Sequence, residues 1–140
     1  MGEVDMTLRW KPLETGLYRS FIWRTEALYS DRKLPQETSL LTGAVTNPER
    51  RLYRRGIYSY VEFQPARRWK FGVRGDYSED PEKADESITR AVSPYITFTL
   101  SEFNRFRIQY ENKLLPGDDV EHRVFFQWTV VLGPHGAHPF

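Results

Sequence analysis

Residues 124–132 read VFFQWTVVL, and the spacing of their rings decides the fold. Val124, Phe126, Trp128, Val130 and Leu132 fall on one side of an extended chain, while Arg123, Phe125, Gln127, Thr129 and Val131 fall on the other. That period of two belongs to a β-strand. Residues 133–140, GPHGAHPF, then form a Gly/Pro/His tail closed by Phe140.

The same alternation recurs along the chain. Val4, Met6, Leu8 and Trp10 alternate with Asp5, Thr7, Arg9 and Lys11. Over residues 17–30, Phe21, Trp23, Thr25, Ala27 and Tyr29 oppose Ser20, Arg24 and Glu26. Further runs cover 56–64 (Ile57, Val61, Phe63 against Tyr58, Tyr60, Glu62), 69–77 (Trp69, Phe71, Val73 against Lys70, Arg74, Asp76) and 92–100 (Ile96 and Phe98 against Tyr95 and Thr97). The run around 105–111 sets Phe106, Ile108 and Tyr110 against Arg105, Arg107 and Glu111. Seven amphipathic strands and no helical period predict an all-β fold, an antiparallel meander. Pro94 lacks an N–H for a ladder, so a bulge or a strand entry is expected there.

Composition narrows the setting. The chain has 140 residues, enough for one domain. Charged residues make up 28% and mean hydropathy is −0.62, and no apolar stretch approaches the length of a membrane-spanning helix. Yet 15% of residues are aromatic, a bias that fits interfaces and membrane boundaries. With 20 basic and 19 acidic residues there is no polyelectrolyte field for nucleic acid. The absence of cysteine removes disulfides and thiolate chemistry. The opening MGEVDMTLRW has no apolar h-region, so it does not read as a secretory signal.

The links carry more information than the strands. PLETG, PARR and SEFN are short, whereas residues 31–55, SEDPEKADESI and KLLPGDDVEH are longer and polar. Successive antiparallel strands turn at opposite ends, so short links share one end and long links the other. Outer-membrane barrels have this asymmetry, with tight periplasmic turns and longer outer loops. In that orientation 31–55 is a long outer loop, 133–140 a periplasmic tail, and residues 1–140 one partial barrel domain. Bacterial single-chain barrels use even strand numbers, so seven predicts either missing N-terminal strands or an oligomer.

Alternation is compatible with two settings. In a soluble barrel or sandwich binding a small apolar ligand, the greasy face turns inward. In a membrane barrel, Trp10, Phe21, Trp23, Phe63, Phe98, Phe106, Phe126 and Trp128 meet lipid, and Arg9, Arg24, Glu26, Glu62, Arg74, Asp76, Arg105, Arg107 and Glu111 line a wet lumen. Strand lengths, Trp and Tyr near strand ends and the alternating link lengths favour the membrane. The lumen face carries more bases than acids, a mild anion preference in a pore. Cross-strand ion pairing is the plainer expectation for most of these charges, with Arg105 and Arg107 the best candidates for a selective patch.

The long last strand ending in Phe140 resembles the C-terminal targeting signal of Gram-negative outer-membrane proteins. The segments LYRSFIWRTEALYS, ARRWKFGVRGDYSED, AVSPYITF and LGPHGAHPF resemble the C-terminal part of a little-characterised, porin-like group of those proteins, some with metal-uptake or TonB-type receptor associations. The resemblance implies a transmembrane β-barrel in the bacterial outer membrane, recognition of Phe140 by the barrel-assembly machinery, and passage of a small polar or anionic solute. Arg50, Arg51, Arg54 and Arg55 then fall where lipopolysaccharide phosphates sit, with a solvated loop end as the plainer reading. His135 and His138 are a weak metal-ligand pair lacking a third donor. No nucleophile triad, phosphate loop or cofactor motif appears, so a non-catalytic role without a cofactor is expected.

Overall fold

A computed structural model of the chain describes residues 1–16, 18–38, 41, 43–80, 87–101 and 103–132, the side chains of 38 and 47 excepted. Its strands are β1 (Gly2–Trp10), β2 (Ser20–Leu34), β3 (Glu37–Thr38), β4 (Val45–Asn47), β5 (Arg50–Ala66), β6 (Trp69–Glu79), β7 (Ile88–Ser101), β8 (Asn104–Leu114) and β9 (Val120–Val130). There is no helix among the described residues. Seven strands form one open antiparallel sheet in the order β1-β2-β5-β6-β7-β8-β9, and β3 pairs with β4 in a small separate hairpin. Every neighbour in the large sheet is also the next long strand in sequence, so the topology is a pure meander.

Strand boundaries extend beyond the alternating cores. β2 and β5 run into the stretch read as a 31–55 outer loop, pairing as far as Leu34↔Arg50 and leaving only 35–49 between them. The link-length contrast is milder than the sequence predicts. Residues 67–68 make a tight turn and β7 and β8 are separated by two residues at one end, but 11–19 at that end is longer than 115–119 at the other. The 115–119 turn is tight because Gly117 and Asp118 take positive φ (91° and 64°) and the Leu115 N–H reaches the Asp119 carbonyl at 2.8 Å.

Pro94 produces neither a bulge nor a strand start. It pairs with Val73 in mid-β7, and the ladder to β8 passes from Val92↔Asn112 to Tyr95↔Gln109 without a change of register. A residue in an antiparallel strand points its N–H and C=O at one neighbour only, so the missing donor interrupts one ladder and leaves the other intact. Register shifts fall instead between Thr99 and Ser101 and between Phe63 and Ala66, next to the short links.

The described residues contain no conventional apolar core. Buried positions are few (Ser20, Leu52, Ala91, Ser93, Tyr95, Thr97), and four of them alternate along β7. The edge strand β1 is exposed at each of its residues.

Candidate functional site

Register turns the alternating strands into two chemically distinct faces. On one, Trp10, Phe21, Phe63, Phe71, Ile96, Ile108 and Phe126 form a row that crosses all seven strands. Beside it Trp69, Phe98, Phe106 and Trp128 form a second row at the tight-turn end, where the Trp69–Phe98 rings are 4.7 Å apart and Phe106–Trp128 6.0 Å. Trp23 lies one row further in, paired with Leu8 and Val61. All eight side chains assigned to lipid by the sequence therefore share this face.

The apolar face has upper and lower limits. Towards the far end it finishes at Tyr29, Tyr53 and Tyr77, the first two stacked at 6.2 Å. Beyond them the same face carries Asp31, Lys33, Arg51 and Glu79, with Arg51 clasping Asp31 and Lys33 paired with Glu49. The guanidinium of Arg51 holds the Asp31 carboxyl below the usual carboxylate range, chiefly through its hydrogen bonds. From Trp69 to Tyr77 the strand rises about 26 Å at ~3.3 Å per residue.

Polar groups on this face pair locally. The Trp23 Nε1–H donates to Ser59 Oγ at 3.0 Å, Thr25 and Ser59 hydroxyls are 2.8 Å apart, and Tyr110 OH meets His122 Nδ1 at 2.7 Å. His122 lies within β9, opposite Asn112.

Arg9, Arg24, Glu26, Glu62, Arg74, Asp76, Arg105, Arg107 and Glu111 all fall on the opposite face. Its centre is Glu62. Gly72 stands directly opposite both Glu62 and Tyr95, and a Cβ at Gly72 would lie 2.2 Å from the Tyr95 ring. The missing side chain is the seat of that ring, which crosses β6 so that its hydroxyl donates to Glu62 Oε2 at 3.1 Å. Lys70 Nζ approaches Glu62 at 3.3 Å and Arg107 Nη2 at 3.6 Å. Arg107 also lies 4.3 Å above the Tyr95 ring and donates from Nε to Thr97 Oγ1 at 2.9 Å. Arg107 of β8 thus covers Thr97, which is 0% exposed.

A second cluster lies nearer the far end. Tyr58 OH donates to Glu26 Oε2, Arg24 pairs with Glu26 at 3.3 Å, Arg74 binds Asp76 and stacks 4.5 Å above Tyr58, and Arg123 bridges Glu111 and Glu121. Of these ion pairs Arg123–Glu111 is of the cross-strand kind expected from the sequence, whereas Arg24–Glu26, Arg74–Asp76 and Arg123–Glu121 each join residues two apart on one strand. The partners contributed by Tyr58 and Tyr95 were not expected, although their place in the alternation put them on this face.

Arg105 and Arg107 do not make one patch. Arg107 is absorbed into the Glu62 cluster, whereas Arg105 is exposed and has no partner among the described residues. Alternation likewise splits the arginine cluster of β5: Arg51 and Arg55 take one face, Arg50 and Arg54 the other, and Arg54 Nε donates to the Asp80 carbonyl at 2.6 Å. Phe140, His135 and His138 lie outside the described residues. Among the described residues no three His, Cys, Asp or Glu side chains are grouped to hold a metal.

No family model matches the chain, and no solved structure matches it. It is similar to an uncharacterized protein of Aquifex aeolicus (strain VF5), 26% identical over 134 residues, covering 88% of this chain. The chain spans 28% of the length of that relative.

Proposed function

We propose that this chain is a wall segment of a bacterial outer-membrane β-barrel, non-catalytic, whose polar face borders a passage for small polar or anionic solutes. The observation carrying this reading is the inverted burial of the sheet. Its few buried side chains, Ser20, Leu52, Ala91, Ser93, Tyr95 and Thr97, all lie on the charged face, while large apolar side chains on each of the seven strands stand open on the other, Phe126 at 67% and Val124 at 73% exposed. Exposed apolar area on this scale needs a cover, and lipid is one that matches a band bordered by Trp and Phe at one end and Tyr at the other. The band's height agrees: about 26 Å of strand tilted by ~40° rises about 20 Å, near the apolar belt of such barrels.

Closure sets a further condition. β1 and β9 are the edges of a seven-stranded meander and so run in the same direction. An antiparallel barrel built on them takes an odd number of additional strands between β9 and β1. Two copies related by rotation about the barrel axis would instead place β9 beside β1 in parallel. Barrel-assembly machinery and lipopolysaccharide are the partners this setting implies.

The soluble alternative has one observation of its own, an apolar depression of about 780 Å³ between Trp69, Pro94, Ile96, Phe106 and Phe126. A small apolar ligand or a second sheet is its natural occupant. Co-flotation with phospholipid vesicles after refolding separates the readings. Vesicle-bound chain with strands protected from protease is expected, and a detergent-free soluble monomer would overturn the membrane proposal.

A further inference from the structure

The polar face also contains a hollow of about 320 Å³ between β6, β7, β8 and β9, apart from the Glu62 cluster. Its floor is Ser93, 1% exposed, whose hydroxyl has no hydrogen-bond partner among the described residues. Burying an unpaired hydroxyl is unfavourable unless something in the hollow bonds to it. Lys113 stands across from Ala91, whose short side chain leaves the ammonium room, and it makes no ion pair among the described residues. The other charges in the wall are mutually engaged: Asp76 accepts two hydrogen bonds from Arg74 Nε at 2.8 and 3.0 Å, and Glu111 lies 3.8 Å from Arg123. Glu121 is directly opposite Lys113 in the ladder, but its carboxylate is held by Arg123 at 2.6 Å.

We infer that this hollow is a binding site for a small oxyanion-bearing solute, a carboxylate or a phosphate, held by the Lys113 ammonium and the Ser93 hydroxyl. Three reasons point to an anion. The wall has three cations against two carboxylates. Both carboxylates already have guanidinium partners, so the groups left for a ligand are donors, joined by the Gln109 amide. The hollow is at the small end of ligand sites, about 300 Å³, and excludes bulky solutes. The inference deepens the proposed function and rests on the polar face being open to solute.

The test uses the full chain refolded in detergent micelles and titrated calorimetrically with inorganic phosphate and, separately, acetate. Saturable one-to-one binding of at least one is expected, and the stronger of the two tells which oxyanion the site prefers. Lys113→Met should weaken it about tenfold or more, as loss of a charge-assisted bond does, and Ser93→Ala about fivefold, as loss of a neutral one does. Lys113→Arg should stay within about threefold of the parent, and Lys11→Met, at the far edge of the sheet, should change nothing. Absence of saturable binding by the parent, or an unchanged affinity in Lys113→Met, overturns the site. Failure here with vesicle co-flotation intact leaves the barrel proposal standing. Binding by a chain that proves to be a detergent-free monomer removes the barrel and keeps the site.

Discussion

Along β7, Ala91, Ser93, Tyr95 and Thr97 are buried while Val92, Pro94 and Ile96 between them are exposed. The two faces of one strand thus follow opposite rules, and the buried face is the polar one. Enclosure of Tyr95 and Thr97 comes from Arg107 of the neighbouring strand β8, which lies over the Tyr95 ring and bonds to Thr97. Exposure on the other face comes from rings that touch only their immediate neighbours. The contrast teaches that the described sheet is held by hydrogen-bonded ladders and a polar network, and that its apolar face is left for something else to cover.

A charge in the middle of the apolar face is the strongest way to break this contrast. Val73→Arg, between the aromatic row and the tyrosines, should cost about 2–4 kcal/mol of stability in vesicles if lipid covers that face. The same substitution at Ser78 on the polar face should cost far less, and urea unfolding of the vesicle-bound proteins compares them. Equal effects at both positions would erase the distinction between the faces.

Next in size is the polar network. Glu62→Ala leaves Lys70 and Arg107 facing each other without their carboxylate and should cost about 2–3 kcal/mol, the range for hydrogen bonds to charged groups. Gly72→Ala puts a methyl group into the space of the Tyr95 ring and should cost about 1–3 kcal/mol through overpacking. Tyr95→Phe keeps the ring and loses only the bond to Glu62, for about 1 kcal/mol. If Gly72→Ala proved milder than Tyr95→Phe, the ring's seat on Gly72 would not matter to the fold.

The smallest effect concerns the far end, where Arg51 lowers the Asp31 pKa. A carboxyl whose folded pKa is depressed stabilises fully above its unfolded pKa of about 3.9, and that stabilisation is lost as pH falls through the lower folded value. Below about pH 4 the ends of β2 and β5 should therefore fray, read as reduced amide protection over residues 30–34 and 50–54 relative to the rest of both strands. Asp31→Asn should show the frayed pattern already at neutral pH and little further change on acidification.

Much of this was legible from alternation because β side chains have a period of two, so a residue's face follows from its parity once one anchor is known. Residues placed on a face from sequence lie on that face where a strand carries them, while Lys11, Val131 and Leu132 fall beyond the ends of β1 and β9. What parity does not carry is distance across strands. Arg105 and Arg107 look equivalent two positions apart, yet Arg107 falls beside Thr97 in the β7–β8 register and within reach of Glu62, while Arg105 pairs with Thr99 and stays open. Gly72 reads as an interruption of a strand, and its use as the seat of a ring from β7 depends on the register of a partner some twenty residues away. Strand ends were missed in the same direction, since the charged ends of β2 and β5 alternate without the apolar marks by which a strand is recognised.

The sequence by itself determined that the chain is an antiparallel all-β meander with one apolar and one charged face, because hydrophobic alternation and polar links are local properties of the chain. The tertiary structure alone decided which face is enclosed, which charges cancel and which side chains remain for a ligand. Those depend on registers that bring β5, β6, β7 and β8 side by side, and on the reach of arginine, lysine and tyrosine side chains across the strands between them.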